Sequence, residues 1–268
     1  MTETIPSSKE QSFDLFDETS SEATFDVEFE PPKKIASLSP SRDNRAGIAR
    51  TESTFICHTN LANQFFFGRQ GDQARNIRAI TGLVGFTSRL NKIYDMAKQD
   101  DPYADNRLIA IEQALDLAYA FVKEQYTYVN ALLCHTDNLI INPSTSIEPV
   151  KHRVEFKTRL ANYGLRVLCV YDKLVRSALA AHHMDVMSDA DWRATVSVSG
   201  KKLRHAFALS DNFRASGTTR QDFAAKNQRA QDAIAKYGEL EQDVLEGTLR
   251  ASRAPRLMNT SPLSMLNQ

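Results

Sequence analysis

The sequence predicts a mainly α protein with a short β-ribbon, a small strand and two helices set into a larger helical domain. Three observations carry this. Residues 52–59 alternate apolar and polar side chains and lead into helical periodicity. Two stretches of about thirty and twenty-five residues repeat apolar side chains at three- and four-residue steps. Prolines, glycines and serines cut the remainder into helix-length pieces.

The organising stretch is residues 51–98. In the strand, Phe55 and Cys57 alternate with Thr54, Ile56 and His58, so one face is apolar and the other mixed. A first helix is expected over 60–68, with Asn60 as N-cap, Leu61, Gln64, Phe65 and Phe67 in the following turns and Gly68 as stop. A second begins after Thr81, whose hydroxyl is expected to cap it, with Val84, Leu90, Ile93, Tyr94 and Ala97 as the apolar stripe. Arg69, Arg75, Arg78, Arg89 and Lys92 surround these elements. Strand, helix, capped helix and basic surround are the parts of a ribbon-helix-helix module, in which two chains pair strands into a ribbon that enters the DNA major groove. They are also the parts of a strand and two helices that only pack a core, and the pattern alone favours that second reading.

The rest follows in chain order. Residues 1–50 are read as a disordered acidic tail and basic linker: nine acids face three lysines in residues 1–34, a net charge of −6, with Phe13, Phe16, Phe25 and Phe29 spaced among them. The whole chain is formally neutral, so residues 35–268 carry +6, which suits a polyanionic partner. Arg50 and its neighbours lead into the strand as a basic arm. Asp100-Asp101-Pro102 ends the second helix. A long helix over 105–134 carries Leu108, Ile111, Leu115, Ala118, Val122, Val129 and Leu132, and another over 160–182 carries Leu160, Tyr163, Val167, Val170, Tyr171, Leu174 and Ala178; the two are expected to pack as an antiparallel pair. Between them, short strands are expected at 139–141 and 150–156. Ser188-x-x-Asp191 opens a third helix reaching residue 207, Thr219-x-x-Asp222 a fourth reaching 237 with Phe223, Ala230, Ala233 and Ile234 inward, and a last short helix spans 240–246. The domain reading is therefore a tail at 1–50, a DNA-binding module at 51–100, a helical domain at 101–250 and a flexible C-terminus at 251–268.

Catalytic and metal constellations are not found. Ser199-Gly200-Lys201-Lys202 resembles a phosphate loop, but Thr195 stands where its first glycine belongs and Lys202 where its hydroxyl belongs. His182-His183 and Cys134-His135 lack zinc spacing, and three cysteines without CxxC spacing argue against a disulfide framework. No cofactor is expected, and the protein is read as a non-enzyme of the cytoplasm, associated with nucleoid or plasmid, with no membrane segment. Lys201, Lys202, Arg204 and His205 concentrate cations on two turns, either a second DNA-backbone patch or a solvated helix face.

Several motifs in order give the sequence a family resemblance: His58 to Asn60 with Phe67-Gly68-Arg69; Ile80-Thr81-Gly82-Leu83; Gln99-Asp100-Asp101-Pro102-Tyr103-Ala104-Asp105; Ser146 to Val150; Arg204-His205-Ala206-Phe207-Ala208-Leu209; Thr218 to Asp222; and Val244 to Arg250. Over about residues 50–256 the chain resembles the AcaB-like proteins of integrating conjugative elements and large conjugative plasmids. The resemblance implies a ribbon-helix-helix transcriptional regulator, read as an activator, acting on the promoter of the transfer-operon activator genes. Its partners would be double-stranded DNA, a second copy in a homodimer, and other transcription factors through the helical domain or acidic tail. Thr54, Ile56 and His58 would face the bases with Phe55 and Cys57 toward the core, and Arg75, Arg78, Arg89 and the amides after Thr81 would hold phosphates; Arg50, Asn60, Arg69, Gly82 and, where the cluster at 201–205 is a DNA-backbone patch, Lys201, Lys202 and Arg204 complete the expected DNA contacts. Ile56 departs from the polar residue expected on a reading face, and the 70–80 loop is longer than such modules need. The rival from another class is an adaptor of the conjugation apparatus that binds proteins through its long helices and tail.

Overall fold

The computed structural model describes residues 53–71, 74, 76, 78–134 and 139–258. In chain order these form β1 (Ser53–Cys57), α1 (Asn60–Phe67), β2 (Gly68–Arg69), β3 (Ile80–Thr81), α2 (Leu83–Lys98), α3 (Pro102–Cys134), β4 (Val150–Val154), α4 (Arg159–His183), α5 (Asp189–Ala208), α6 (Arg220–Ala224), α7 (Gln228–Tyr237) and α8 (Gln242–Glu246). The tail expected at 1–50, with Arg50, lies outside the described residues, as does Arg75.

The core is one cluster built where four helices meet. Phe86, Leu90 and Ile93 of α2, Leu108, Ile111 and Leu115 of α3, Leu160, Leu168 and Leu174 of α4, and Leu203 and Phe207 of α5 are all fully buried. α3 and α4 pack along each other, as the periodicity predicts. Gly200 explains the false phosphate loop: it lies inside α5, where an added Cβ would stand 3.0 Å from the Phe65 ring and 3.1 Å from the Tyr171 hydroxyl. That glycine permits close helix packing.

The structure corrects several boundaries, each for a local reason. Thr59, not Asn60, caps α1, its Oγ1 accepting from Ala62 N at 3.2 Å. Thr81 does not cap α2; Gly82 holds the N-cap position without a side-chain bond. Val84 faces outward, while Phe86 and Leu83 fill the core. α3 begins three residues earlier than expected because Pro102 occupies its first position, where a missing N–H costs nothing, and Asp101 Oδ1 accepts from Tyr103 N and Ala104 N. The chain turns out of α2 through Asp100 at φ 68°. Residues 139–141 form no strand, and β4 stops at Val154. The expected fourth helix is two, α6 and α7, because Asn227 interposes a cap that accepts from Ala230 N. Of its expected inward residues Ala230 and Ala233 are buried, Phe223 is half-buried and Ile234 is exposed.

Acids near the start of α3 fasten the C-terminal segments. Asp105 is fully buried between Arg220 (2.8 Å) and Arg250 (2.8 Å), and Asp100 also pairs with Arg220. Glu112 accepts from Ser252 N, Ser252 Oγ and Arg253 Nη1 at 2.6–2.7 Å. Burial by itself would raise the Glu112 carboxyl, but those bonds outweigh it and hold it below the usual range. Residues 251–258 of the expected flexible terminus are thus tied down, with Met258 N donating to Lys98 O; residues 259–268 lie outside the described ones. No helix among the described residues is long and apolar enough to cross a membrane.

Candidate nucleic-acid interface

β1 pairs antiparallel with β4 of the same chain, Thr54 opposite Arg153 and Ile56 opposite Lys151. The strand beside β1 comes from between the two long helices, so a single chain by itself forms a two-stranded ribbon. Opposite residues of a ladder project to one face. One face accordingly presents Thr54, Ile56, Lys151 and Arg153, all exposed, with Ile56 at 47%. The other presents Phe55 and Cys57, both buried, with His152 opposite Phe55 and the exposed Val150 opposite Cys57 at the ribbon's end. This settles which strand face is outward.

The inner face is bolted to α1 by aromatic packing. Phe66 stacks on His152 with ring centroids 4.2 Å apart and on Phe55 at 5.8 Å, and Phe67 meets His152 edge-on at 5.1 Å. A 2.8 Å bond joins His152 Nε2 to Asn63 Oδ1. Burial lowers the His152 pKa, because the charged form loses solvation there. At the end of β1 the backbone is held by Asp172 of α4, whose carboxylate accepts from His58 N, Thr59 N and Thr59 Oγ1, the last at 2.7 Å. His58 does not continue the outward face: it lies past the strand, half-buried, with Nδ1 buried and unpartnered among the described residues. Asn60 is exposed on the first turn of α1.

A second group gathers at the α1–α2 connection. The short β2–β3 ladder pairs Gly68 with Thr81 and Arg69 with Ile80. A Cβ on Gly82 would collide with the Gly68 backbone, so this approach requires glycine. Thr81 Oγ1 donates to Asp211 at 2.8 Å, and Arg89 Nε pairs with the same carboxylate at 3.3 Å. Arg69 Nη2 donates to the Arg78 carbonyl at 3.2 Å, and both side chains are exposed. Arg204 reaches this group from α5, its guanidinium carbon 5.2 Å from the Phe65 ring centroid.

The expected basic cluster on α5 divides. Arg204 turns toward α1, whereas Lys201, Lys202 and His205 stand beside α3, Lys202 Nζ 4.7 Å from the Phe121 ring centroid. Lys201 and Lys202 therefore do not join the arginines at the α1–α2 connection. Lys151 and Arg153 complete the outward ribbon face and were absent from the expected contacts. Their signal was present, since Lys151 and Arg153 alternate with Val150, His152 and Val154. What the sequence conceals is that this strand pairs with β1.

Comparison with known proteins agrees with the resemblance carried by the motifs. The profile of the family described as "Transcriptional regulator AcaB" matches residues 45–258. The crystal structure of selenomethionine-containing AcaB from uropathogenic E. coli aligns over 75% of this chain and 100% of that one, at 11% identity and a TM-score of 0.47. The search of curated protein sequences gave no match. With the family profile spanning most of its length, the chain belongs to the AcaB family of transcriptional regulators.

Proposed function

We propose that the protein is a sequence-specific DNA-binding regulator whose β1–β4 ribbon enters the major groove with Thr54, Ile56, Lys151 and Arg153 toward the bases. The observation that carries this is the ribbon's division into a buried aromatic face and an exposed face bearing two cations, a hydroxyl and one aliphatic side chain. The major groove admits a two-stranded ribbon, and each residue type has a partner there. Arginine and lysine donate to guanine O6 and N7, threonine to either groove edge, and an aliphatic side chain packs on the thymine methyl. Ile56 is then a thymine contact, consistent with its place outside the core.

Arg69, Arg78 and Arg89, with the amides after Gly82 that lack a side-chain cap, serve as phosphate contacts that fix register. Because one chain supplies a whole ribbon, a homodimer would place two ribbons on inverted half-sites about one helical turn apart. The proposed genetic role is activation of conjugative-transfer genes, with the helical remainder stabilising the dimer or receiving other transcription factors.

The test is capture of sheared source DNA by the purified full chain near physiological salt, followed by sequencing and by titration of the enriched site with Arg153→Ala and Arg78→Ala. The expected result is one promoter site with inverted half-sites, a preference relaxed by Arg153→Ala and an affinity lowered for all sequences alike by Arg78→Ala. Uniform or absent retention would favour the protein-binding adaptor.

A further inference from the structure

We propose that the cavity between α1, the β2–β3 ladder and α5 is a binding site for a small oxyanion-bearing ligand with an apolar ring, held by Arg69 and Arg204 over the Phe65 ring. The cavity measures about 340 Å³, and Gln64, Gly68, Ile80 and Thr81 complete its lining. That volume lies at the lower end of small-molecule sites, roughly 300–1,000 Å³, and suits one ring with one charged group.

The chemistry of the walls selects an anion. Neither guanidinium is paired with a carboxylate among the described residues, in contrast to Arg220, Arg250 and Arg253. Arg69 donates one N–H to the Arg78 carbonyl, and its other N–H groups have no acceptor among the described residues. Arg204 is half-buried and stacked at 5.2 Å on Phe65, which orients its planar fork without neutralising it. The neighbouring acid, Asp211, is occupied by Thr81 and Arg89. Two guanidiniums with open N–H groups above an aromatic floor match an oxyanion attached to a ring, by charge-assisted bonds at one end and apolar contact at the other.

The site also shares helix α1 with the buried face of the ribbon. Phe65 and Phe66 are consecutive on α1: Phe65 floors the cavity and meets Tyr171 at 4.9 Å, while Phe66 stacks on Phe55 and His152 beneath the ribbon. A ligand pressing on Phe65 therefore acts on the element that supports the ribbon, and binding of ligand and DNA become linked. This regulatory consequence rests on the DNA-binding reading; the ligand site does not.

The same oxyanion chemistry has two sources, a free organic phosphate or carboxylate and a backbone phosphate of DNA. The test is isothermal titration of the DNA-free full chain at fixed ionic strength with phenyl phosphate, with inorganic phosphate and benzyl alcohol as comparisons. One saturable site per chain is expected, at least about tenfold tighter for phenyl phosphate than for either comparison, and weakened about tenfold or more by Arg69→Gln and by Arg204→Gln, with Lys123→Ala unchanged. Arg69 is exposed, so its variant reports even where Arg204→Gln disturbs packing. No saturable binding, or equal binding by Arg69→Gln and the parent chain, overturns the proposal. So does loss of DNA affinity in the arginine variants without phenyl phosphate binding to the parent, which assigns the cavity to a DNA phosphate. A failure of DNA capture alone leaves the titration result standing, so the two readings fail separately.

Discussion

Two groups of cations in this protein do opposite work. Arg220, Arg250 and Arg253 are mostly buried and each is matched to an acid on or just before α3, Asp100, Asp105 or Glu112. Lys151, Arg153, Arg69 and Arg78 stand on the surface of the ribbon and of the α1–α2 connection. Burying an unpaired charge is prohibitive, so the first group exists only as part of an ion network and acts as a clasp on the C-terminal segments. The second group pays no such penalty, because its side chains stay in contact with solvent. The +6 charge of residues 35–268 is therefore a poor guide taken whole; what matters is which cations the fold has already used.

The sharpest way to break this division is to remove the acid that serves two buried arginines. Asp105→Ala leaves Arg220 and Arg250 without their shared carboxylate and is expected to cost about 3–5 kcal/mol, a fall of about 10 °C in melting temperature for a domain of this size. Urea denaturation followed by circular dichroism measures it. A loss under about 1 kcal/mol would show the clasp to be ordinary surface pairing.

The reciprocal experiment lies on the ribbon. Lys151→Ala and Arg153→Ala remove exposed side chains and are expected to change stability by no more than about 0.5 kcal/mol, while each weakens binding to the selected site by about 1–3 kcal/mol. Fluorescence anisotropy on matched and mismatched duplexes gives both affinity and preference. An unchanged preference would remove the ribbon from base readout. Smaller again is the effect of Arg78→Ala, expected to leave preference intact and to reduce the slope of log affinity against log salt by about one.

The clasp also shows what was legible in the sequence. The segments that carry the family resemblance, Gln99 to Asp105, Thr218 to Asp222 and Val244 to Arg250, meet in space at Asp105, Arg220 and Arg250. Those motifs mark the fold more than the interface. The helices were legible because three- and four-residue apolar steps over α3 and α4 have one physical meaning, a buried stripe. The outward face of β1 was legible from the alternation of Phe55 and Cys57, which proved buried. The identity of its partner strand was not, because β1 and β4 are separated in the chain by the whole of α2 and α3, and strand pairing carries no local signal. Arg204 and Lys202, two residues apart on α5, were read as one patch; a helix turns about 100° per residue, so the two point to opposite sides, one to Phe65 and the other to Phe121.

The same two regions separate along the pH axis, where the expected effects are smallest. Burial lowers the folded-state pKa of His152 from the ordinary 6.5, so the unfolded chain takes up this proton first. The stabilising contribution of the neutral ring is present above pH 6.5 and is lost as pH falls through the folded value. Glu112 is also depressed, from 4.5, because its bonds to Ser252 and Arg253 outweigh burial; its contribution is complete above that range and disappears as the carboxylate finally protonates. Acidification should therefore loosen the ribbon in the histidine range and the clasp only in the glutamate range. His152→Phe keeps a ring against Phe66 and should erase the first step alone, whereas Arg253→Ala should diminish the second alone. Denaturation midpoints across pH, read with amide exchange at Phe55 and Ser252, distinguish them. If His152→Phe leaves the fall near the histidine range intact, the ribbon does not titrate through its stacked imidazole.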